Sequence, residues 1–234
     1  MIPFNENTDF QQGVIIPFHK DYKWTSFELV KDIRSALTGK FGYKKIKVGH
    51  AGTLDPLATG LVLVCTGNAT KKIQSLQSLE KEYIAEIHLG ETTPSYDLET
   101  SISQVFSVNH ISKDLVEKTL AGFTGTVMQL PPAFSAKWSD GKRAYKIART
   151  GTYPELKPVS VYIQTIELIS FNLPDMVIRI VCGKGTYIRS LARDLGTAMH
   201  SGAYLKNLTR TRIGEYLLSE SYTLEKFKEK IKYP

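Results

Sequence analysis

The sequence predicts an α+β fold, a mixed and mainly antiparallel sheet with helices packed on it. Three observations carry that expectation. Helical and strand periodicities are interspersed along the chain, but not in the regular βαβα alternation of a doubly wound sheet. Apolar runs with a period of two occur in several places, and no internal repeat or biased linker divides the 234 residues. Hydrophobic residues make up 42% and charged residues 23%, the balance of a chain that buries a core rather than one that stays disordered.

The first periodic segment is a helix from Thr25 to about Leu37. Thr25 and Glu28 have the spacing of a capping box, and Phe27, Val30, Ile33 and Leu37 fall on one face. A Gly- and Thr-rich stretch from Gly49 to Gly60 runs into a continuous apolar strand at 61–65, after which Asn68 is placed to cap a short helix through Leu76. Tyr83, Ala85, Ile87 and Leu89 alternate as a half-buried strand does. Ser112 or Asp114 starts a helix carrying Leu115, Val116 and Leu120. Strands follow from Val159 to Phe171 and from Met176 to Cys182. Ile188, Leu191, Ala192, Leu195 and Met199 define the clearest helix, which Gly202 is placed to end, and Thr223 opens a last helix with Leu224, Phe227 and Ile231 on one side. Residues 1–12 read as an N-terminal arm and 13–234 as one domain.

Lys and Arg outnumber Asp and Glu by 30 to 23, a formal charge of +7. That excess suits a polyanionic partner without requiring one. No apolar run approaches the roughly 18 residues of a membrane span, and the first residues lack the basic and apolar regions of an export signal. A cytoplasmic protein is therefore expected. Cys65 and Cys182 both lie in apolar runs, as buried thiols do in a reducing compartment.

Three segments are stranger than a core requires. In 49–60, Gly49, Gly52, Pro56 and Gly60 are turn residues that hold Asp55 in a bent connection just before a buried strand. Spacing alone leaves open whether Asp55 makes a local turn ahead of Pro56 or serves chemistry. In 183–189, Gly183-Lys184-Gly185-Thr186-Tyr187-Ile188-Arg189 joins a strand to a helix and fails the phosphate-loop pattern. Arg189 is electrostatically misplaced in a first helical turn, which leaves open a specific carboxylate partner or a solvated side chain. The third segment, 131–151, interleaves Lys137, Lys142, Arg143, Lys146 and Arg149 with Phe134, Trp138 and Tyr145. Cations for a phosphate backbone and flat rings for unstacked bases suit RNA.

Other chemistries fit poorly. The five histidines have no partner at metal-ligand spacing, and neither a G-x-S-x-G elbow nor a dinucleotide fingerprint follows a strand.

The stretch Gly49-His50-Ala51-Gly52-Thr53-Leu54-Asp55-Pro56-Leu57-Ala58-Thr59-Gly60 resembles the catalytic motif of the TruB family of tRNA pseudouridine-55 synthases. Lys81-Glu82-Tyr83, Pro131-Pro132-Ala133-Phe134-Ser135-Ala136 and Lys184-Gly185-Thr186-Tyr187-Ile188-Arg189 resemble its other signatures, in order. The likeness runs from about Gly13 to Tyr216. It implies a pseudouridine synthase fold and the isomerisation of one uridine in the tRNA T-loop, with no cofactor and no metal. Asp55 would then be the nucleophile, and its desolvation requires an opposing charge, for which Arg189 is the candidate. Tyr83 would stack on the uracil and assist proton removal at C5, Tyr187 would line the pocket, Leu208 would form its apolar edge, and His50 would contact the RNA.

The same resemblance makes 131–151 the loop that grips the T-arm through Lys137, Lys142, Arg143 and Lys146, and it makes flipping of the target base a requirement. The chain also departs from the family. His19-Lys20-Asp21 and Lys23 stand where Asp-Lys-Pro and a following Gly are usual. Asp97 keeps an acidic position, but Thr92-Thr93-Pro94-Ser95-Tyr96 replaces the commoner Thr-Asp-Thr-Ser pattern. The chain stops at Pro234, where many relatives continue into an RNA-binding domain of the PUA type, so a short form is expected; a monomer is expected as well. A catalytically silent RNA chaperone and an Asp-dependent nucleoside hydrolase are the competing classes; the former needs none of Asp55, Tyr83 and Arg189.

Overall fold

The computed structural model describes residues 4–139 and 141–233. In chain order the elements are β1 (Ile15–Lys20), α1 (Ser26–Phe41), β2 (Val48–His50), β3 (Thr59–Thr66), α2 (Ile73–Ser78), β4 (Lys81–Leu89), β5 (Glu91–Thr92) and β6 (Gln104–Val105). Then follow α3 (Lys113–Ala121), β7 (Gly125–Gln129), β8 (Trp138–Ser139), β9 (Lys142–Arg143), α4 (Ala144–Ala148) and β10 (Val159–Asn172). The last are β11 (Asp175–Cys182), α5 (Ile188–Ala198), β12 (Ala203–Ile213), β13 (Tyr216–Leu217) and α6 (Leu224–Lys230). The backbone divides into two compact units, one up to Tyr83 and again from Thr209, the other Ile84–Leu208. This is the expected α+β class. No helix among the described residues is long and apolar enough to cross a membrane.

The first unit is organised on β3, which is buried from Gly60 to Thr66 because both of its edges and both of its faces are covered. β1 lies antiparallel on one edge, with Ile15 opposite Cys65 and Lys20 opposite Gly60. The other edge takes β2 antiparallel, with His50 opposite Val64, and the end of β12 parallel, with Arg210 opposite Gly60. Leu61, Leu63 and Cys65 pack with Ala51, Ala69, Leu76 and Ile213. Phe4, Phe10, Phe18 and Phe227 form a cluster of ring contacts that ties in the arm. Both cysteines are buried, and burial pushes the Cys65 thiol up to about 11.

Thr25 caps α1 with the full capping box. The buried stripe, however, is Ser26, Leu29, Val30, Ile33, Ala36 and Leu37, and Phe27 is 68% exposed. At about 100° per residue Phe27 lies well off the stripe centred on Ile33, so it stands outside the buried face that its spacing predicts. Asn68 caps nothing: residues 67–72 form a 3₁₀ helix with Thr66 before it, and α2 starts only at Ile73. The tighter turn follows from Gly67, whose φ of 48° and close approach to the Gln11 carbonyl set the chain direction.

In the second unit the strand order is β12-β4-β11-β10-β7. β10 and β11 form a long antiparallel hairpin, and β7 lies antiparallel on β10. Ser112, rather than Asp114, caps α3. α5 ends before Gly202: His200 takes the left-handed conformation at φ 54°, and the Ser201 N–H returns to the Gly196 carbonyl. The stop is made by a histidine, which tolerates that conformation better than a β-branched residue would.

Candidate active site

Asp55 is half-buried in the turn between β2 and β3, and the peptides on both sides of it are held. On the N-terminal side, the Ser26 hydroxyl accepts from the Leu54 N–H at 3.0 Å and donates to the Leu54 carbonyl at 3.2 Å, so the first turn of α1 fixes the residue before Asp55. On the C-terminal side, the Pro56 carbonyl accepts from the Lys23 N–H at 2.9 Å and from Lys20 Nζ at 3.3 Å. The Ala58 N–H closes the turn on the Asp55 carbonyl at 3.1 Å. His50 ends β2; its Nδ1 is buried and accepts or donates no hydrogen bond among the described residues. Burial, and then the charge of Arg210, push the His50 imidazole below its ordinary pKa, so it is neutral at pH 7. Tyr83, 8% exposed, sits on the buried face of β4 with Ala85, Ile87 and Leu89.

Lys20 is one of the buried cations of this unit. It is fully buried at the end of β1, and Nζ donates to the carbonyls of Trp24 at 2.6 Å and Asp21 at 3.0 Å besides Pro56. Burial pushes its ammonium down to about 8, opposed by the charge of Asp55 and reinforced by that of Arg210. Between pH 8 and 10.5 the unfolded chain therefore carries a proton here that the folded chain has lost, and stability gains as pH rises through that window. Urea unfolding of the protein and of Lys20→Met at pH 7.5 and 10.5 checks this. The gain of the parent relative to the variant is expected to be on the order of 3 kcal/mol, and equal pH dependence of the two proteins would refute it.

In the second unit, the misplaced arginine of α5 has its carboxylate. Arg189 is buried with Nε 3.5 Å from Asp97, and its terminal nitrogens donate to the carbonyls of Ser95 at 3.2 Å and Phe134 at 3.0 Å. The Thr92–Tyr96 departure from the family pattern is the loop that builds this partner: the Thr93 and Ser95 hydroxyls donate to the Asp97 carbonyl, and Asp97 Oδ1 accepts from the Glu99 N–H. Tyr187 precedes α5, and its N–H donates to the side chain of buried Gln129 at 2.8 Å. Leu208 is 6% exposed.

The basic segment of this unit is a small β-ribbon, β8 and β9, leading into α4. Lys142 and Lys146 are exposed, whereas Lys137 and Arg143 are half-buried. The Arg143 guanidinium lies 4.4 Å from the centre of the Trp138 ring and donates to the Ala136 carbonyl at 2.6 Å. It thereby stiffens the ribbon and leaves Trp138 63% exposed as a flat surface.

The family model described as the N-terminal domain of TruB family pseudouridylate synthases matches residues 39–188, from α1 through the Asp55 turn to the start of α5. The chain belongs to the TruB family. It is 52% identical over 221 residues to tRNA pseudouridine synthase B of Phocaeicola vulgatus, covering 94% of each chain. It is 56% identical over 210 residues to the protein of that name in Parabacteroides distasonis, covering 90% of this chain and 89% of the relative. Among solved structures, the fold resembles a chain of an H/ACA RNP bound to a substrate RNA containing 2′-deoxyuridine, with TM-score 0.68 at 26% identity over 94% of this chain. This chain spans 53% of that one, about half.

Membership in the TruB family makes the protein an isomerase and places its reaction with the pseudouridylate synthases. Of the residues singled out in the sequence, His50, Asp55 and Tyr83 belong to the first unit, and Tyr187, Arg189, Leu208 and the basic set belong to the second. Sequence reasoning gave no role to Gln129 or to Arg210. A signal existed for the latter: it follows Leu208 at the two-residue spacing of a strand, so a charged side chain stands where an apolar one is due.

Proposed function

We propose that this protein isomerises uridine 55 in the T-loop of tRNA to pseudouridine. The observation that carries the reading is Asp55, half-buried between two immobilised peptides inside the complete Gly49–Gly60 motif, in a chain half identical to tRNA pseudouridine synthases B along nearly its whole length. The target base leaves the stacked loop before reaction, at a cost of a few kcal/mol that contacts elsewhere on the RNA offset. The C1′–N1 bond then breaks with the Asp55 carboxylate as nucleophile, C1′–C5 forms, the C5 proton leaves and N1 takes one up. Atoms and charge balance with no cofactor and no metal. Tyr83 stacks on the uracil and assists the loss of the C5 proton, and Arg189 completes the catalytic set. Tyr187 and Leu208 line the base, and His50, neutral with an unpartnered nitrogen, contacts the RNA. The protein works as a monomer in the cytoplasm.

Incubating the purified protein with a tRNA transcript labelled at uridine C5 tests the reading. Isomerisation releases the label to water with no free base. Release of free uracil would make the protein a nucleoside hydrolase, and release of neither would make it an RNA-binding chaperone.

The T-arm is gripped by the ribbon that carries Lys137, Lys142, Arg143 and Lys146, with the Trp138 face available for stacking. Replacing Lys142, Arg143 and Lys146 together by Ala is expected to weaken tRNA binding and lower the slope of log affinity against log salt by about 2, the effect of losing three phosphate contacts. A filter-binding series over salt concentration measures it. An unchanged slope removes the ribbon from the interface.

A further inference from the structure

Arg210 is 1% exposed, the largest of the fully buried side chains, on the same face of β12 as Leu208. A guanidinium carries five N–H donors and keeps its charge, so its burial requires acceptors close at hand. Here Nε donates to the Leu61 carbonyl at 2.7 Å and a terminal nitrogen to the Gly52 carbonyl at 3.1 Å. Those two carbonyls lie on either side of Asp55 in the chain, at the two ends of the turn that carries it.

The backbone repeats the arrangement. Arg210 is the register partner of Gly60, whose φ of 107° and whose missing Cβ, which would stand 2.4 Å from the Arg210 carbonyl oxygen, admit only glycine. One residue earlier, the Thr59 and Thr209 hydroxyls are 3.0 Å apart. Side chain and main chain of one short stretch of β12 thus close both ends of the Asp55 turn.

The geometry assigns Arg210 as a positioning residue for Asp55: its planar fork ties the carbonyls of Gly52 and Leu61 together, so that the turn between them presents the carboxylate in a single conformation. The inference rests on the reading of Asp55 as the reacting group.

The test compares Arg210→Gln, Arg210→Lys and Asp55→Asn in the full chain. It reads the single-turnover rate on a tRNA transcript, tRNA affinity and the thermal midpoint. Arg210→Gln is expected to slow turnover about 10²-fold, the scale of a misplaced reacting group, with tRNA affinity changed less than about threefold. Arg210→Lys keeps the charge, but an ammonium does not span both carbonyls as a fork does, and turnover should still fall about tenfold.

A purely structural arginine would move the thermal midpoint while leaving the rate of the folded protein intact. Parent-like turnover in folded Arg210→Gln, or in Arg210→Lys where the glutamine variant does not fold, overturns the inference. Activity in Asp55→Asn would instead sink the reading of Asp55. An inactive Asp55→Asn beside a fully active Arg210→Lys leaves that reading standing and removes only Arg210.

Discussion

Asp55→Asn is expected to abolish turnover, by on the order of 10⁴-fold or more, while tRNA affinity stays within about threefold. The substitution conserves the size and planarity of the side chain, and the hydrogen bonds that hold the neighbouring peptides are made by other residues. Leu54 is fixed by Ser26, Pro56 by Lys20 and the Lys23 N–H, and the turn ends by Arg210. The variant should therefore fold and bind as the parent does, and a nucleophile is lost without a change of shape. Single-turnover release of label from uridine C5, set beside filter binding, reads both quantities at once. A large loss of affinity together with activity would recast Asp55 as an organiser of the turn. One side effect follows from the charge: Lys20 loses the anion that opposes its burial, so its ammonium should titrate lower in the variant than in the parent.

The second large effect concerns stability. Arg189→Met should destabilise the protein by about 3–5 kcal/mol, because it strips the buried Asp97 carboxylate of its cation and leaves the Ser95 and Phe134 carbonyls without a donor. Urea denaturation at pH 7 measures the loss. A double variant, Arg189→Met with Asp97→Leu, should recover part of it, since no uncompensated charge then remains inside. A loss below about 1 kcal/mol in the single variant would mean that the pair is solvated and that the Ser95–Asp97 loop stands without it. The consequence for function is that an inactive Arg189 variant is informative only if its folded fraction is measured, because this side chain organises its own unit whatever it does in the reaction.

The elements legible in the sequence share a physical basis. The capping box at Thr25, the alternation of Tyr83 to Leu89 and the i, i+3, i+4 pattern of α5 all arise from interactions between residues close in the chain or from the demand of one buried face. The structure reproduces each of them. Where the reading failed, a distant group decided. Phe27 was placed on the buried stripe of α1 by spacing, but the packed face centres on Ile33. Asn68 has the chemistry of a cap, yet Gly67 docks against the 10–11 backbone and turns the chain first. The end of α5 was assigned to a glycine and is made by His200, through a bond between Ser201 and Gly196.

For the candidate site the division is sharper. The sequence by itself determined the family and the class of reaction, and it singled out the carboxylate proposed to react, because a dozen-residue turn motif is a local object whose glycines, proline and aspartate must be adjacent to work. It also singled out Arg189, a cation in a first helical turn, as a side chain that either meets an acid or stays in solvent. Only the tertiary structure decided that Asp97 is a partner of that cation, and that Lys20 and Arg210 are the buried charges that hold the Asp55 turn. Charge burial is settled by which strands become neighbours, and hydrogen bonds to main-chain carbonyls carry no trace in the identity of the residues that accept them.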